Sequence, residues 1–514
     1  MAFFGMSDLI LMPTIGYTVF YDAQQVSVRQ MRKNLLTGVV VLLALLPLLF
    51  VWHSAYLPFA DYPNHLAGVK IMRAYDSNPF YREYFAIHFL NPLPVPNMIF
   101  DLFAVKLLPF VSEDAVGRLF LSLYVLLSLI SVLLLCRETG ADVNAALLGY
   151  LPVLFGFFFQ MAFLNFLLSI PLVFLALTVL LRFEKSGRAS HLVAFFGISI
   201  LVYLSHIFSF FVLSLIVMAR VPWTGAKTKK IFLPLACVFL VAVGVYLMRT
   251  DISFRWHPLG ISYKFHIMPL YLLTYPLQYY DGLLGDICLA LYIAGICWLL
   301  FFSRVKEKAL FLSAAVLLFC YAVFPFSGAR GTLIDVRLLP FAALLFLVSL
   351  DIRKKERYFV PFVLFAIVLA LKLYGSLAYY ASFAREFPAV MSCMEEIGEK
   401  SVVLPIVSIE GSNINPYSNS WGYLILKKDM VTPYIFAGSQ QPLGQRRPLF
   451  APSNLWGYGN SYDETPEFWE RIRETYGYVL IIGRNEKLQG TVRRFGRKQC
   501  GTSVMTLYRL TDAQ

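Results

Sequence analysis

Apolar runs, several of them short or broken, recur from residue 35 to residue 383, and no other feature limits the fold as strongly. In hydrocarbon every backbone N–H and C=O must find its partner inside the protein, so such stretches form helices. One apolar run would be an anchor on a soluble body; about eleven in succession make an α-helical polytopic membrane protein. The composition agrees, with 58% hydrophobic and 15% charged residues, against about 45–50% and about 25% in soluble chains. A soluble enzyme, a disordered chain and a disulfide scaffold are excluded.

Spans are expected near 35–53, 115–136, 145–164, 165–183, 190–205, 206–219, 231–248, 283–303, 309–326, 338–350 and 358–380. The run 145–183 is too long for one helix and holds Gln160, Asn165 and Pro171, so it divides into a hairpin. The run 190–219 divides in the same way at Ser205-His206. The apolar stretch 98–111 carries Asp101 and Lys106 and reads as interfacial or re-entrant. Residues 1–20 contain Asp8 and Pro13 and lack a basic start, which favours an amphipathic segment on the membrane over a signal peptide.

The net charge is +13, and its placement matters more than its size. With Arg29, Arg32 and Lys33 inside, the eleven spans put Arg137, Arg182–Arg188, Arg220–Lys230, Arg304–Lys308 and Arg353–Arg357 on the same side, as the positive-inside rule requires. The surplus is therefore topological, and no nucleic-acid partner is implied. Residues 1–34 are a cytoplasmic segment, 35–383 the membrane domain with a first outer loop 54–114, and 384–514 an outer domain. Six of the seven histidines (His53, His65, His88, His206, His257, His266) fall at or beyond the outer face. Insertion rules do not gather histidines, so the asymmetry points to a site there.

The tail 384–514 is a different kind of sequence. Ser401–Val407, 476–482 and 503–510 read as strands and 468–475 as a helix, with Pro-, Gly-, Asn- and Ser-rich loops at 413–420 and 440–454. This is a C-terminal extracytoplasmic α/β domain. Five cysteines lie in or beside the spans, while Cys393 and Cys500 lie in the tail. Those two either pair in an oxidising compartment or remain two buried thiols. The absence of any Asn-x-Ser/Thr sequon favours a bacterial envelope.

The segment Asp61-Tyr62-Pro63-Asn64-His65-Leu66 follows the first span by eight residues. A carboxylate held near the membrane surface, partly out of water, can act as a general base or bind a metal. His65 would share a helical face with Asp61. The competing reading is an Asp that caps a helix starting at Pro63, with His65 on the surface.

The whole arrangement resembles the GT-C superfamily of membrane glycosyltransferases. The resembling features are a first span, the long outer loop 54–114 with Asp61 near its start, about ten further spans and the soluble tail. The resemblance implies transfer of a sugar from a polyprenyl-phosphate-linked donor to a lipid, glycan or protein acceptor at the outer face of a bacterial inner membrane. It also implies that Asp61 is the catalytic acid position, acting as general base. The acidic pair of many members is absent, since Tyr62 follows Asp61, which leaves open whether a divalent metal takes part.

A departing phosphate needs cations. The outer candidates are Arg255, His257, Lys264, His266, Arg330 and Arg337, with His65 and His206 as further substrate-binding candidates. Arg337 is preferred, because guanidinium suits bidentate phosphate contact; the alternative is an arginine snorkelling to lipid headgroups. Gln160, Asn165 and His206 either line a cavity or simply bond between helices. Trp421, Trp456 and Tyr458 are weaker candidates for stacking on a glycan. There is no Walker A loop, dinucleotide fingerprint, His-Glu-x-x-His or nucleophile elbow. Two rivals stand beside the transferase: a transporter or flippase of a lipid-linked or amphiphilic substrate, and a non-catalytic subunit of an envelope-assembly complex. A ligase or polymerase joining whole glycans is an enzymatic variant.

Overall fold

The computed structural model describes residues 31, 34–88, 96–224, 283–324, 327–328, 331–352, 359–408, 415–437, 441–450 and 465–511. Elements are numbered in chain order over these residues. A first helix, α1 (Asn34–His53), is followed by three short helices, α2 (Tyr62–Ala74), α3 (Pro79–Tyr84) and α4 (Ile99–Leu107). The helical body continues with α5 (Glu113–Thr139), α6 (Val143–Leu154), α7 (Phe157–Met161), α8 (Leu164–Ser186), α9 (Ala189–Ser205) and α10 (Ile207–Thr224). Beyond the undescribed stretch come α11 (Leu283–Phe302), α12 (Lys308–Val323), α13 (Leu339–Ser349) and α14 (Phe359–Met394).

Among the described residues, six helical stretches are long and apolar enough to cross a membrane: α1, α5, α6 with α7, α8, α11 and α14. Four shorter apolar helices lie between them, at Ala189–Ser205, Ile207–Arg220, Lys308–Val323 and Val336–Ser349. The protein is thus helical and polytopic in character, and the described residues bear out six of the expected spans by length, with the four shorter apolar helices at the positions of four others. The expected span 231–248 and residues 1–20 lie outside the described residues.

Both long runs break where the sequence places polar residues. The first is interrupted around α7, where Ala162 takes the left-handed conformation at φ 53°. The second breaks at His206, whose extended backbone (φ −163°) ends α9. Stretch 98–111 supplies only the nine-residue α4, about 14 Å long and too short to span. Helix α14 has 36 residues, about 54 Å, and continues well past the expected end at 380.

Helix ends follow local rules. Ser112 accepts a hydrogen bond from Ala115 N at the start of α5, and Gly140 ends that helix at φ 68°. Arg118 lies nearly buried within α5 and donates to the carbonyls of Val51, Ser54 and Ala55, with Asp114 Oδ2 2.6 Å from its Nε. It thereby satisfies carbonyl groups at the C-terminal end of α1 and complements the helix dipole there. On the opposite ends of the spans, Arg182 and Lys185 pair with Glu138, and Arg220 with Glu184. Those basic residues thus tie helix ends together.

The tail adds a five-stranded sheet. In this sheet β6 (Ser401–Val407) pairs in parallel with β7 (Met430–Val431) and β9 (Tyr478–Ile482), while β11 (Met505–Leu510) runs antiparallel between β9 and β10 (Gly496–Gly501). Two minor ladders, β2 (Ser303–Val305) with β5 (Leu350–Ile352) and β3 (Ser327–Gly328) with β4 (Gly331–Thr332), lie within the helical part. The strands and helix expected in the tail form, the helix as Pro466–Thr475. Alternate residues of the sheet serve two cores. Leu404, Ile406, Val479 and Ile481 pack under Trp469 and Ile472, whereas Val403, Leu480, Ile482 and Leu507 belong to the cluster shared with the helical body. Cys393, near the end of α14, is disulfide-bonded to Cys500 of β10, with Cα atoms 5.7 Å apart.

The tail also closes over the segment after α1. Strand β1 (Phe85–Ile87) pairs antiparallel with β8 (Leu443–Gln445). The helix Trp421–Lys427 lies directly on α2, where a Cβ added to Gly422 would stand 2.2 Å from the Pro63 carbonyl oxygen. Tyr423 Oη donates to Leu57 O and accepts from Leu57 N, both at 2.8 Å.

Gly422→Ala should therefore destabilise the protein by about 2–3 kcal/mol through overpacking, read as a lower unfolding temperature and faster amide exchange over 57–64. Gly490→Ala is helical and its Cβ would meet nothing within 4 Å, so it should be neutral or mildly stabilising.

Candidate active site

The start of α2 decides the site. Pro63 falls in the first turn, where its missing N–H costs nothing. Asp61 occupies the N-cap position, yet its side chain makes no capping hydrogen bond. Its backbone is fastened elsewhere: Asp61 N donates to Met161 O at 2.9 Å and Ala60 N to Gln160 O at 3.2 Å. The break after α7 thus presents two carbonyls that hold the Asp61 backbone, and the carboxyl is turned away from the helix it precedes.

That carboxyl meets the tail. Asn419 Nδ2 donates to Asp61 Oδ1 and to Ala60 O, each at 3.0 Å. Asn419 Oδ1 accepts from Asn64 Nδ2 at 3.2 Å. Asn64 is itself fixed by two backbone groups of the tail, donating to Tyr434 O at 2.7 Å and accepting from Phe436 N at 3.1 Å. Both asparagines are fully buried, and Asp61 is 7% exposed. Burial pushes the Asp61 carboxyl up to about 8, against the pull of the Arg337 charge and the Asn419 hydrogen bond.

Arg337 reaches the site from the 3₁₀ turn Val336–Leu338 that leads into α13. Its Nη1 hydrogen-bonds His206 Nε2, and its Cζ lies 5.3 Å from the ring centroids of both Phe163 and Phe166. His206 also meets Phe166 edge-on at 5.2 Å. An imidazole and two ring faces thus help to hold the guanidinium in place. Asp61, Arg337 and His206 therefore come together from three distant segments. The arrangement offers a proton acceptor, when Asp61 is ionised, and a cation whose field reaches that acceptor.

Other residues singled out in the sequence are placed differently. His65 follows Asp61 by one turn, but its ring stands between Phe100 and Phe436, at 5.6 and 5.1 Å. Burial pushes it down to about 4, so it is uncharged at neutral pH. Gln160 and Asn165 bond to different elements. Gln160 Oε1 accepts from Tyr380 Oη at 2.6 Å, and Asn165 bonds Phe100 N and Asn97 O at 2.8 and 2.7 Å. Asn165 thus anchors the start of α4. Trp421 is buried against α2 at 2% exposure, so it offers no open face for a glycan. Arg255, His257, Lys264, His266, Arg330, Trp456 and Tyr458 lie outside the described residues. Among the described residues, no group of three or more His, Cys, Asp or Glu gathers in a way that could hold a metal ion.

Two site residues were not singled out in the sequence, Asn64 and Asn419. Asn64 stands within the segment that drew attention to Asp61, and Asn419 in a stretch whose Asn and Ser content reads as loop. Their hydrogen bond joins positions 355 residues apart, and no local pattern announces such a pair.

No family model matches the sequence, and no curated protein matches it. Among solved structures, the chain is similar to a cryo-EM structure of the arabinofuranosyltransferase AftD from mycobacteria, with 13% identity and a TM-score of 0.44. The match covers 94% of this chain and 40% of that one, so the chain spans two-fifths of that protein's length. A likeness at this level carries no functional argument.

Proposed function

We propose that the protein is a membrane glycosyltransferase that moves a sugar from a polyprenyl-phosphate-linked donor to an acceptor at the outer face of the membrane. One observation carries the reading: Asp61, freed from capping, lies under the field of Arg337 while His206 holds that guanidinium. The resemblance in layout to GT-C enzymes, with an acidic residue soon after the first span, points the same way. The acceptor is a hydroxyl or amine of a lipid, glycan or protein.

In the proposed reaction the acceptor oxygen or nitrogen attacks the anomeric carbon. The bond from that carbon to the phosphate oxygen breaks, and its electron pair leaves on the phosphate. The acceptor proton passes to ionised Asp61. Arg337 stabilises the charge that grows on the departing phosphate, in surroundings from which water is largely excluded. The Cys393–Cys500 disulfide fits a tail outside the reducing cytosol, on the side where this reaction is placed.

The reading is tested by mass profiling of envelope glycans and glycolipids in a deletion strain complemented with wild type or Asp61→Asn, at matched protein levels in the membrane. The substitution keeps size and removes the base, so transfer should fall by about a hundredfold or more and the product restored by wild type should be missing. Full restoration by Asp61→Asn would remove the catalytic assignment and favour a transporter or an assembly subunit.

The pH dependence has a defined sign. A base must be ionised, and a carboxyl at about 8 is about one-tenth ionised at pH 7. Transfer in membranes, with donor below saturation, should rise close to tenfold per pH unit below that value and level off above it. A rate that falls between pH 6 and pH 8 would contradict Asp61 as the base.

A further inference from the structure

We propose that Asn419, contributed by the tail, is a positioning residue for Asp61, so that the docked tail supplies part of the site's chemistry. The proposal rests on Asp61 acting as the base. The orientation of the Asn419 amide follows from groups that have no choice of role. Phe436 N can only donate and Tyr434 O can only accept, which fixes which end of the Asn64 amide carries the nitrogen. Asn64 must then donate to Asn419, whose oxygen is committed to that bond. Ala60 O, another obligate acceptor, takes one N–H of Asn419. The remaining N–H is directed to Asp61 Oδ1 at 3.0 Å.

A donor fixed in this way favours the ionised carboxylate over the neutral acid, because only the charged form accepts strongly. It also holds one carboxylate oxygen in a single place. Among the described residues, the charged group whose field reaches Asp61 is Arg337 from the turn before α13; His206 from the α9–α10 break bonds that guanidinium, and His65 stands one turn along α2. The Asn419 amide does not titrate over this range, so its removal changes the hydrogen bond and leaves those charges in place.

The test reads the carboxyl directly in the full-length protein in phospholipid nanodiscs. Dicyclohexylcarbodiimide adds to protonated carboxyls, and peptide-resolved mass spectrometry follows its addition at residue 61 across a pH series. Asp101, whose carboxyl burial pushes up to about 7, serves as a second site in the same sample. In Asn419→Ala the midpoint at residue 61 should move upward by about one to two pH units, with residue 101 unchanged. Tyr423→Phe loosens the same docked helix at Leu57 without touching Asp61, and should leave the residue 61 midpoint at the wild-type value. If Asn419→Ala fails to accumulate, Asn419→Ser is used, since its hydroxyl is one atom too short to reach the carboxylate.

A wild-type midpoint in the Asn419 variant would overturn the proposal, and so would an equal shift in Tyr423→Phe, which would reduce Asn419 to a docking contact. In the transfer assay, Asn419→Ala should lose about tenfold or more at pH 7 and recover toward wild type near pH 9; an equal loss at every pH would also overturn it. The labelling does not depend on turnover. A shifted midpoint combined with full product from Asp61→Asn would therefore discard the transferase reading while leaving the Asn419–Asp61 coupling intact.

Discussion

The close approach of Gly422 to the Pro63 carbonyl is the contact on which the rest of the site depends. It brings the tail helix onto the first turn of α2 with no side chain between them, and only that spacing lets Asn419 reach Ala60 and Asp61 at 3.0 Å. Tyr423 at Leu57 and the β1–β8 ladder fasten the same surface at two further points. The disulfide from Cys393 to Cys500 fixes the sheet to the end of α14. The segment after the first span and the tail therefore form one packed unit, although hundreds of residues separate them in the chain.

The helical part was legible because a bilayer forces long apolar segments to be helices whatever their periodicity. The breaks at Ala162 and His206 were legible too, since Gln160, Asn165 and His206 interrupt runs too long for single spans. The reach of α14 was not: the span was expected to end at 380 and the tail to start at 384, yet the helix continues to Met394. Strands β1 and β8 have three residues each and leave no alternating pattern. At the site, Asp61 stood out because an acid beside an apolar span has to be accounted for. Asn419 did not, because an asparagine in an Asn- and Ser-rich stretch reads as turn chemistry until the tertiary fold supplies its partner.

The arginines show how structural cations differ from a candidate site cation. Arg118 is spent on the carbonyls that end α1 and on Asp114, and Arg220 meets both carboxylate oxygens of Glu184. Each is neutralised by its neighbours or by a helix dipole, and substitution there would harm the fold. Arg337 is bonded to an imidazole and flanked by the faces of Phe163 and Phe166. Those partners hold its position, and its field reaches Asp61.

Charge balance explains why the neighbour on the acid matters. At neutral pH Asp61 is mostly protonated and His65 is uncharged, while the field of Arg337 favours the ionised form of Asp61. In the proposed reaction, an anion bound against Arg337 would weaken the charge that, among the described residues, favours ionised Asp61, and so would oppose proton uptake by that carboxylate. The Asn419 N–H is uncharged and set by backbone groups, so an incoming anion does not cancel it. A dipole fixed by the tail can thus keep the carboxylate accessible when the cation beside it is engaged, which gives the buried Asn64–Asn419 pair a role that packing alone does not require.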